Sequence, residues 1–475
     1  MTNGLLLLLG LLLLPVDASA GGTDAKKPHS LYFEHYEGTK TCLSCHEKEA
    51  QTFFHSQHYQ WKGETPSLVG AHGVKLGKMN TINDFCTSPA ANWIGNTKNS
   101  RGEVIAQGCS KCHAGLGLKP SETMSREQLL NIDCLQCHAA GYNRELAKTA
   151  DGSWRWRPVL WNNREGLDSV SKRISLPTRT MCLRCHAASG GGKNFKRGDI
   201  EYVLADTTKE YDVHMGKDGA NLACVDCHAA QDHRVKGRGA DLAANDWKGT
   251  LSCDTPDCHG AKPHKLAVLD KHTDRVSCAA CHIPNFARTD PTDMARDWSK
   301  PKYNMEADKY GATITFGRDV VPVYDWWNGL SQASLLGETP KKTPQGKVAM
   351  FLPLGDRSDP KAKLFPFKLH RGRLPVLKEK SWLVPVNTEE FFADGKLEDA
   401  VKSAALSTYG VKDAAFGWAD TIRYMGIFHG VRPAKQGVPC LDCHRPDGRV
   451  DWKALGYPGD PLEAKLTPTK TASAH

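Results

Sequence analysis

Apolar positions are spread unevenly along the 475 residues, and their spacing divides the chain into stretches of different character. Leu5 to Leu14 is an apolar run broken only by Gly10 and closed by Pro15, with the small residues Ala18-Ser19-Ala20 following. This pattern predicts an export signal over residues 1–20, although Met1-Thr2-Asn3 brings no Lys or Arg. The run is too short to cross a bilayer as a mature helix, and no later stretch reads as an integral membrane span. Glu47 to Trp61 has helical spacing. Ala312-Thr313-Ile314-Thr315-Phe316 and Val348-Ala349-Met350-Phe351-Leu352 read as short strands. Asn387 with Glu390 predicts a helix N-terminus, Glu389 to Leu406 a helix, and a second helical run reaches His429. The polar tail from Thr467 predicts disorder.

Cysteine usage changes this picture. Of 17 cysteines, 16 form eight ordered pairs, and a histidine follows the second member every time. Seven motifs have two intervening residues: Cys42/Cys45/His46, Cys109/Cys112/His113, Cys134/Cys137/His138, Cys182/Cys185/His186, Cys224/Cys227/His228, Cys278/Cys281/His282 and Cys440/Cys443/His444. The sixth in chain order, Cys253/Cys258/His259, has four, including Pro256, which suits an outward bulge. Two thiols at this spacing can form thioethers with the two vinyl groups on one haem edge, and the next imidazole then lies under the iron. Structural zinc and small disulfides use paired cysteines too, but neither explains the invariable histidine. The reading is eight covalently bound haem c groups.

With a motif roughly every 34 residues from 42 to 282, little sequence remains for a side-chain core. The expected fold is therefore mostly α with extensive irregular loops, a multihaem cytochrome c architecture organised around a chain of eight haems. Apoprotein is expected to be largely unfolded. The division is a signal over 1–20, a multihaem region with seven motifs over 21–290 and a motif-free insert of short strands and loops over 291–385. A helical region with the eighth motif follows over 386–466, then a disordered tail over 467–475.

Twelve histidines lie outside the motifs. Imidazoles on both faces of a haem make it six-coordinate and suited to electron transfer. His58, His72, His214, His233, His264, His272 and His429 are the favoured distal ligands, with His55 and His370 in reserve. His55 and His58, at i and i+3 of the expected helix, would share a face. His29 and His475 sit near the ends of the mature chain and are expected to be idle. The formal charge of +9 becomes +10 without Asp17, and sixteen propionates would bring the reduced holoprotein to about −6. The basic residues are scattered, so they read as compensation for propionates rather than as a nucleic-acid surface.

The pattern resembles the octahaem tetrathionate reductases over most of the mature chain. The matching segments are Ser56-Gln57-His58-Tyr59-Gln60-Trp61, Asn83-Asp84-Phe85-Cys86, Gly190-Gly191-Gly192 with Lys196-Arg197-Gly198-Asp199, and Asp212-Val213-His214-Met215-Gly216. His233, His272, His282-Ile283-Pro284, His370-Arg371-Gly372 and Leu455-Gly456-Tyr457 also fit. The resemblance implies that the haem on Cys109, Cys112 and His113 is catalytic, with Lys196 as its distal ligand and Asn83 and Cys86 lining the pocket. It implies tetrathionate, nitrite or hydroxylamine as substrate. Departures lie beside that pocket: Ala114 to Leu118 lacks the family's aromatic residues, Lys193 stands where an acid is expected, and Asn96 to Gln107 looks like an insertion. Lysine ligates only as the neutral amine, so burial and iron must both lower a pKa ordinarily near 10.4.

The expected activity is a periplasmic reductase taking electrons from a periplasmic or membrane-bound donor and passing them to a small anionic substrate. The alternative is a non-catalytic electron-transfer cytochrome. An oxidase of hydroxylamine-type compounds is disfavoured, because nothing identifies the tyrosine crosslink that chemistry uses.

Overall fold

The computed structural model describes residues 28–71, 73–77, 80–85, 93–160, 166–237 and 251–463. The expected signal, the terminal tail, His72, Cys86 and His475 lie outside them.

A mostly helical chain is not what forms. The helices are short and strands are about as abundant. The longest helices are α1 (Thr39–Phe54) and α6 (Leu397–Tyr409). Among the shorter ones between them are α2 (Gln57–Gln60), α3 (Arg179–His186), α4 (Ala267–His272) and α5 (Thr388–Asp394). The cause is the motifs. A thioether pair and its histidine need one helical turn, and the turn ends at the histidine; even in α1, His46 leaves the helical range with φ −115° and ψ 34°. The stretched sixth motif is a turn instead, with the amides of Cys258 and Gly260 both donating to the Thr255 carbonyl. The helix expected over 47–61 breaks at His55 and Ser56, so His55 and His58 share no face.

The architecture centres on one mixed eight-stranded sheet. Its strands are β1 (Leu68–Val69), β2 (Thr292–Asn304), β3 (Lys309–Gly317), β4 (Val323–Trp327), β5 (Ser331–Ala333), β6 (Val348–Pro353), β7 (Lys363–Leu377) and β8 (Phe416–Gly426). They lie in the order β1-β5-β6-β8-β7-β2-β3, with β4 also paired to β7. The two expected strand runs fall in β3 and β6. The second helical run expected up to His429 is instead β8, antiparallel to β7 with His370 opposite Arg423. Asn387 does cap a helix, its side chain accepting from the Glu389 amide, but Gly395 in the left-handed region ends α5 and separates it from α6.

The main apolar core lies under α5 and α6, where Val384, Val386, Phe391, Val401 and Ala405 pack against Trp298 and Leu374. Around the motifs the apolar clusters are smaller, such as Leu43, Phe54, Tyr59 and Leu129. The sheet forms a wall, with Arg296, Trp298, Ile314 and Phe365 on the cavity side, and the motif-bearing segments line the space beside it.

Candidate functional site

Residues of the first seven motifs line one continuous cavity of about 3270 Å³. The eighth motif, on the turn Cys440–Cys443, is not part of that lining.

Histidine rings face one another across the space left between motifs. Ring centres are 6.1 Å apart for His58 and His186, 5.9 Å for His214 and His259, and 6.1 Å for His228 and His429. They are 6.3 Å apart for His264 and His282 and for His272 and His444. Two imidazoles bound about 2 Å from one metal on opposite faces place their ring centres about 6 Å apart. The donor set therefore fits an iron between each pair. His233 belongs beside His138: burial first, then the His138 charge, pushes its imidazole down, which keeps it neutral as a ligand must be. Burial likewise pushes His228 and His282 down.

Of the favoured distal histidines, all but His72 are thus brought to a motif histidine. His29, expected to be idle, is the one missed: its ring lies 6.1 Å from that of His46. Its place near the chain end concealed it, and no sequence signal separates it from the other spare histidines. His55 packs on Phe54, 5.0 Å away. His370 cannot serve as a reserve ligand, because both ring nitrogens are engaged, at 2.8 Å from Asp84 and 3.1 Å from Asp293.

His113 differs from the other motif histidines. Its buried ring is packed by Tyr59, Trp61 and Trp93, with Nε2 directed at the Tyr59 carbonyl. Burial pushes its imidazole down to about 3. Lys196, only 6% exposed, and Asn83, 8% exposed, line the same cavity. The Lys196 Nζ lies 5.9 Å from the Phe85 ring centre.

The Lys196 loop is held by close backbone contacts. The Lys196 amide donates to the Ser189 carbonyl at 3.1 Å. Gly190, at φ +92°, approaches so near that a Cβ there would stand 3.0 Å from the Lys196 nitrogen. Lys368 donates to the Lys196 carbonyl at 3.0 Å, and burial pushes its ammonium down to about 7. Beneath Asn83, burial alone would raise the Asp84 carboxyl, but Arg423 and His370 outweigh it and hold Asp84 well below the usual carboxylate range. Arg296 ties the two walls of the pocket together, donating to the Phe85 carbonyl and, at 3.1 Å, to that of Gly190.

The family profile described as bacterial cytochrome c matches residues 288–447. An uncharacterized protein of Archaeoglobus fulgidus is 36% identical over 244 residues, covering 45% of this chain and 80% of that protein. The crystal structure of octaheme cytochrome c from Shewanella oneidensis aligns over 90% of this chain and 95% of its own, at 30% identity and a TM-score of 0.71. The chain belongs to the multihaem c-type cytochromes.

This cytochrome carries covalently bound haem c. Among the described residues no disulfide joins the cysteines, and no group of three or more His, Cys, Asp or Glu side chains converges on a metal-ion site. The cytochrome's motifs also touch one another. Cys42 is within hydrogen-bond reach of Cys134, Cys112 of Cys185, Cys182 of Cys224, and Cys253 of Cys278. Cys258 acts electrostatically on Cys227, and Cys440 on Cys281. Cys137 of the third motif acts electrostatically on Cys182 and Cys185 of the fourth, so the motifs run as a connected series from the first and third through the fourth to the eighth, with the second joined at the fourth. No helix among the described residues is long and apolar enough to cross a membrane.

Proposed function

We propose that this cytochrome is a periplasmic octahaem reductase in which seven haems have two histidine ligands and the eighth, on His113, has Lys196 as its distal ligand. The count of eight rests on the eight Cys-Cys-His motifs and on the octaheme relative. Export before haem attachment follows from the apolar run at Leu5 to Leu14. The single observation that carries the catalytic reading is the burial of Lys196 in the wall of the cavity that also holds His113.

When bound, each haem supplies one-electron chemistry, and the motif contacts give a continuous route to the second motif from a periplasmic or membrane-bound donor. The chain's own groups account for the rest. Lys196 would serve as a ligand only as the neutral amine, which can be replaced. Once displaced, its Nζ would take up a proton, hold a small anion by charge and return that proton. The Asn83 Oδ1 accepts from the Phe85 amide at 3.0 Å, which fixes the side chain in the cavity wall. By resemblance, Cys86 adds a thiol that could exchange with a sulfur substrate. Tetrathionate would take two electrons to give two thiosulfates, and nitrite six to give ammonia through hydroxylamine.

The test is Lys196→Ala. Haem count by mass and pyridine haemochrome should stay at eight, while the low-spin signal of one haem is lost and turnover of tetrathionate or nitrite with a reduced dye falls at least tenfold. Spin states equal to wild type would refute the lysine assignment. A wild-type spectrum that does not respond to cyanide or nitrite would favour the pure electron carrier.

A further inference from the structure

The imidazole pairs differ in what their outer nitrogens contact. His138, His228 and His272 direct Nδ1 at backbone carbonyls, those of Ser175 at 2.9 Å, Lys236 at 2.7 Å and Val268 at 2.8 Å. Three others direct Nδ1 at carboxylates: His444 at Asp460, 2.7 Å; His429 at Asp199, 3.0 Å; and His264 at Asp270, 3.1 Å. These three belong to the eighth, fifth and seventh motif sites, which lie together in the series of contacting motifs and away from the second.

The three carboxylates are not equivalent. Asp199 is fully buried, but Arg197 stands 3.3 Å from its other oxygen and neutralises part of its charge. The Asp270 side chain is 20% exposed, so water screens it. The Asp460 side chain is 4% exposed. Its Oδ1 accepts from His444 and from the Leu462 amide at 2.8 Å, while its Oδ2 is buried without a hydrogen-bond partner among the described residues. The His444 ring is also fixed in place: Trp452 stacks on it at 5.3 Å and 18°, with its own Nε1 donating to the Cys443 carbonyl at 2.9 Å.

We propose that Asp460 makes the site of the eighth motif the lowest-potential haem of the chain, and so the point at which electrons arrive from the donor. The inference rests on the reading of His444 and His272 as an axial pair. A carboxylate draws on an imidazole N–H more strongly than a carbonyl does, which makes the opposite nitrogen a stronger donor and favours the more highly charged, oxidised metal. Low surrounding polarity strengthens that pull. The one-electron oxidised form at the eighth motif is therefore stabilised most, the seventh and fifth less, and electrons pass inward toward the second. The position agrees, because the eighth motif joins the series only through the seventh and so ends the arm that leads away from the second.

The experiment is a redox titration of the holoprotein, with low-spin signals followed by magnetic resonance, for wild type, Asp460→Asn and Asp460→Glu. Asparagine keeps an oxygen acceptor but removes the charge. One midpoint, the lowest, should move upward in Asp460→Asn while the other seven stay, with haem content and all low-spin signals unchanged; Asp460→Glu should bring that midpoint back toward wild type. Unmoved midpoints with intact signals overturn the inference and leave the axial pairs standing. Loss of a low-spin signal shows instead that the pair itself was misread, and the inference falls with it. Asp270→Asn, at a more exposed position, keeps the question open to refutation should Asp460→Asn fail to mature: a different midpoint must rise by a smaller step, and none rising overturns the carboxylate effect.

Discussion

At the scale of single residues the molecule is governed by charges taken out of water. Asp84 is fully buried, with Arg423 at 2.7 Å on one oxygen and His370 at 2.8 Å on the other. His370 in turn reaches Asp293, which pairs with Arg296 at 2.6 Å. This network lies directly beneath Asn83 and Phe85, so it sets the floor of the pocket. Breaking such a pair on one side leaves an uncompensated buried cation and costs about 3–5 kcal/mol. Asp84→Asn should therefore lower stability by about that much at neutral pH, read from the urea midpoint of the holoprotein. The sign with pH follows from the depressed carboxyl: its contribution is complete above the unfolded value near 3.9 and drains away as pH falls toward the folded value. The gap between variant and wild type should accordingly narrow as the pH is taken below about 4; a constant gap would show that charge is not what Asp84 contributes. The sequence shows His370-Arg371-Gly372 only as a local match. Nothing in spacing separates a histidine bound between two carboxylates from one waiting for iron, whereas the paired cysteines and their histidines are legible because thioether chemistry fixes them to adjacent positions.

At the scale of elements, legibility followed whether apolar and β-branched residues stand together without a charge among them. The run in β6 has its first four residues buried and apolar, and it was readable as a strand. β7 and β8 were not, because Lys368, His370 and Arg423 occupy inward positions and spoil the alternation on which strand recognition depends. Those charges satisfy one another only across elements far apart in sequence, so no local window contains the compensation. The helix expected from Glu389 to Leu406 fails for a local reason, the glycine at 395. Its φ of +71° favours the absence of a side chain, and a Cβ there would stand 2.6 Å from the Tyr310 ring on β3. Gly395→Ala should cost about 1–2 kcal/mol in backbone strain and roughly 1–3 kcal/mol more in displaced packing. The loss should appear as a lower melting temperature with haem content and visible spectrum unchanged, since α5 and α6 hold no motif. A variant as stable as wild type would mean that the turn between the two helices can be rebuilt without strain.

At the scale of the whole molecule, two kinds of interior stand side by side. The motif-rich segments around 39–61, 179–237 and 251–282 enclose the large cavity, and much of their apolar lining faces it rather than other side chains. The sheet with α5 and α6 has an ordinary apolar core whose members, among them Val386, Phe391, Ala400, Val401 and Ala405, are nearly or wholly inaccessible. The expectation of a largely unfolded apoprotein considered only the first kind, because motif density suggested that porphyrins must supply most of the buried surface. The second kind needs no haem: its contacts are side chain on side chain, and burial at about 25 cal/mol per Å² applies to it with or without cofactor. Stability should then be divided along the same line. Apoprotein prepared in a host unable to attach haem should keep strand signal in circular dichroism. Amide exchange should be slow across β2, β6, β7, β8 and α6 and fast through the motif segments, and haem attachment should slow the latter. Uniformly fast exchange would show that the sheet depends on the haems after all, through the contacts that the loop from Gly190 to Lys196 makes with β2 and β7.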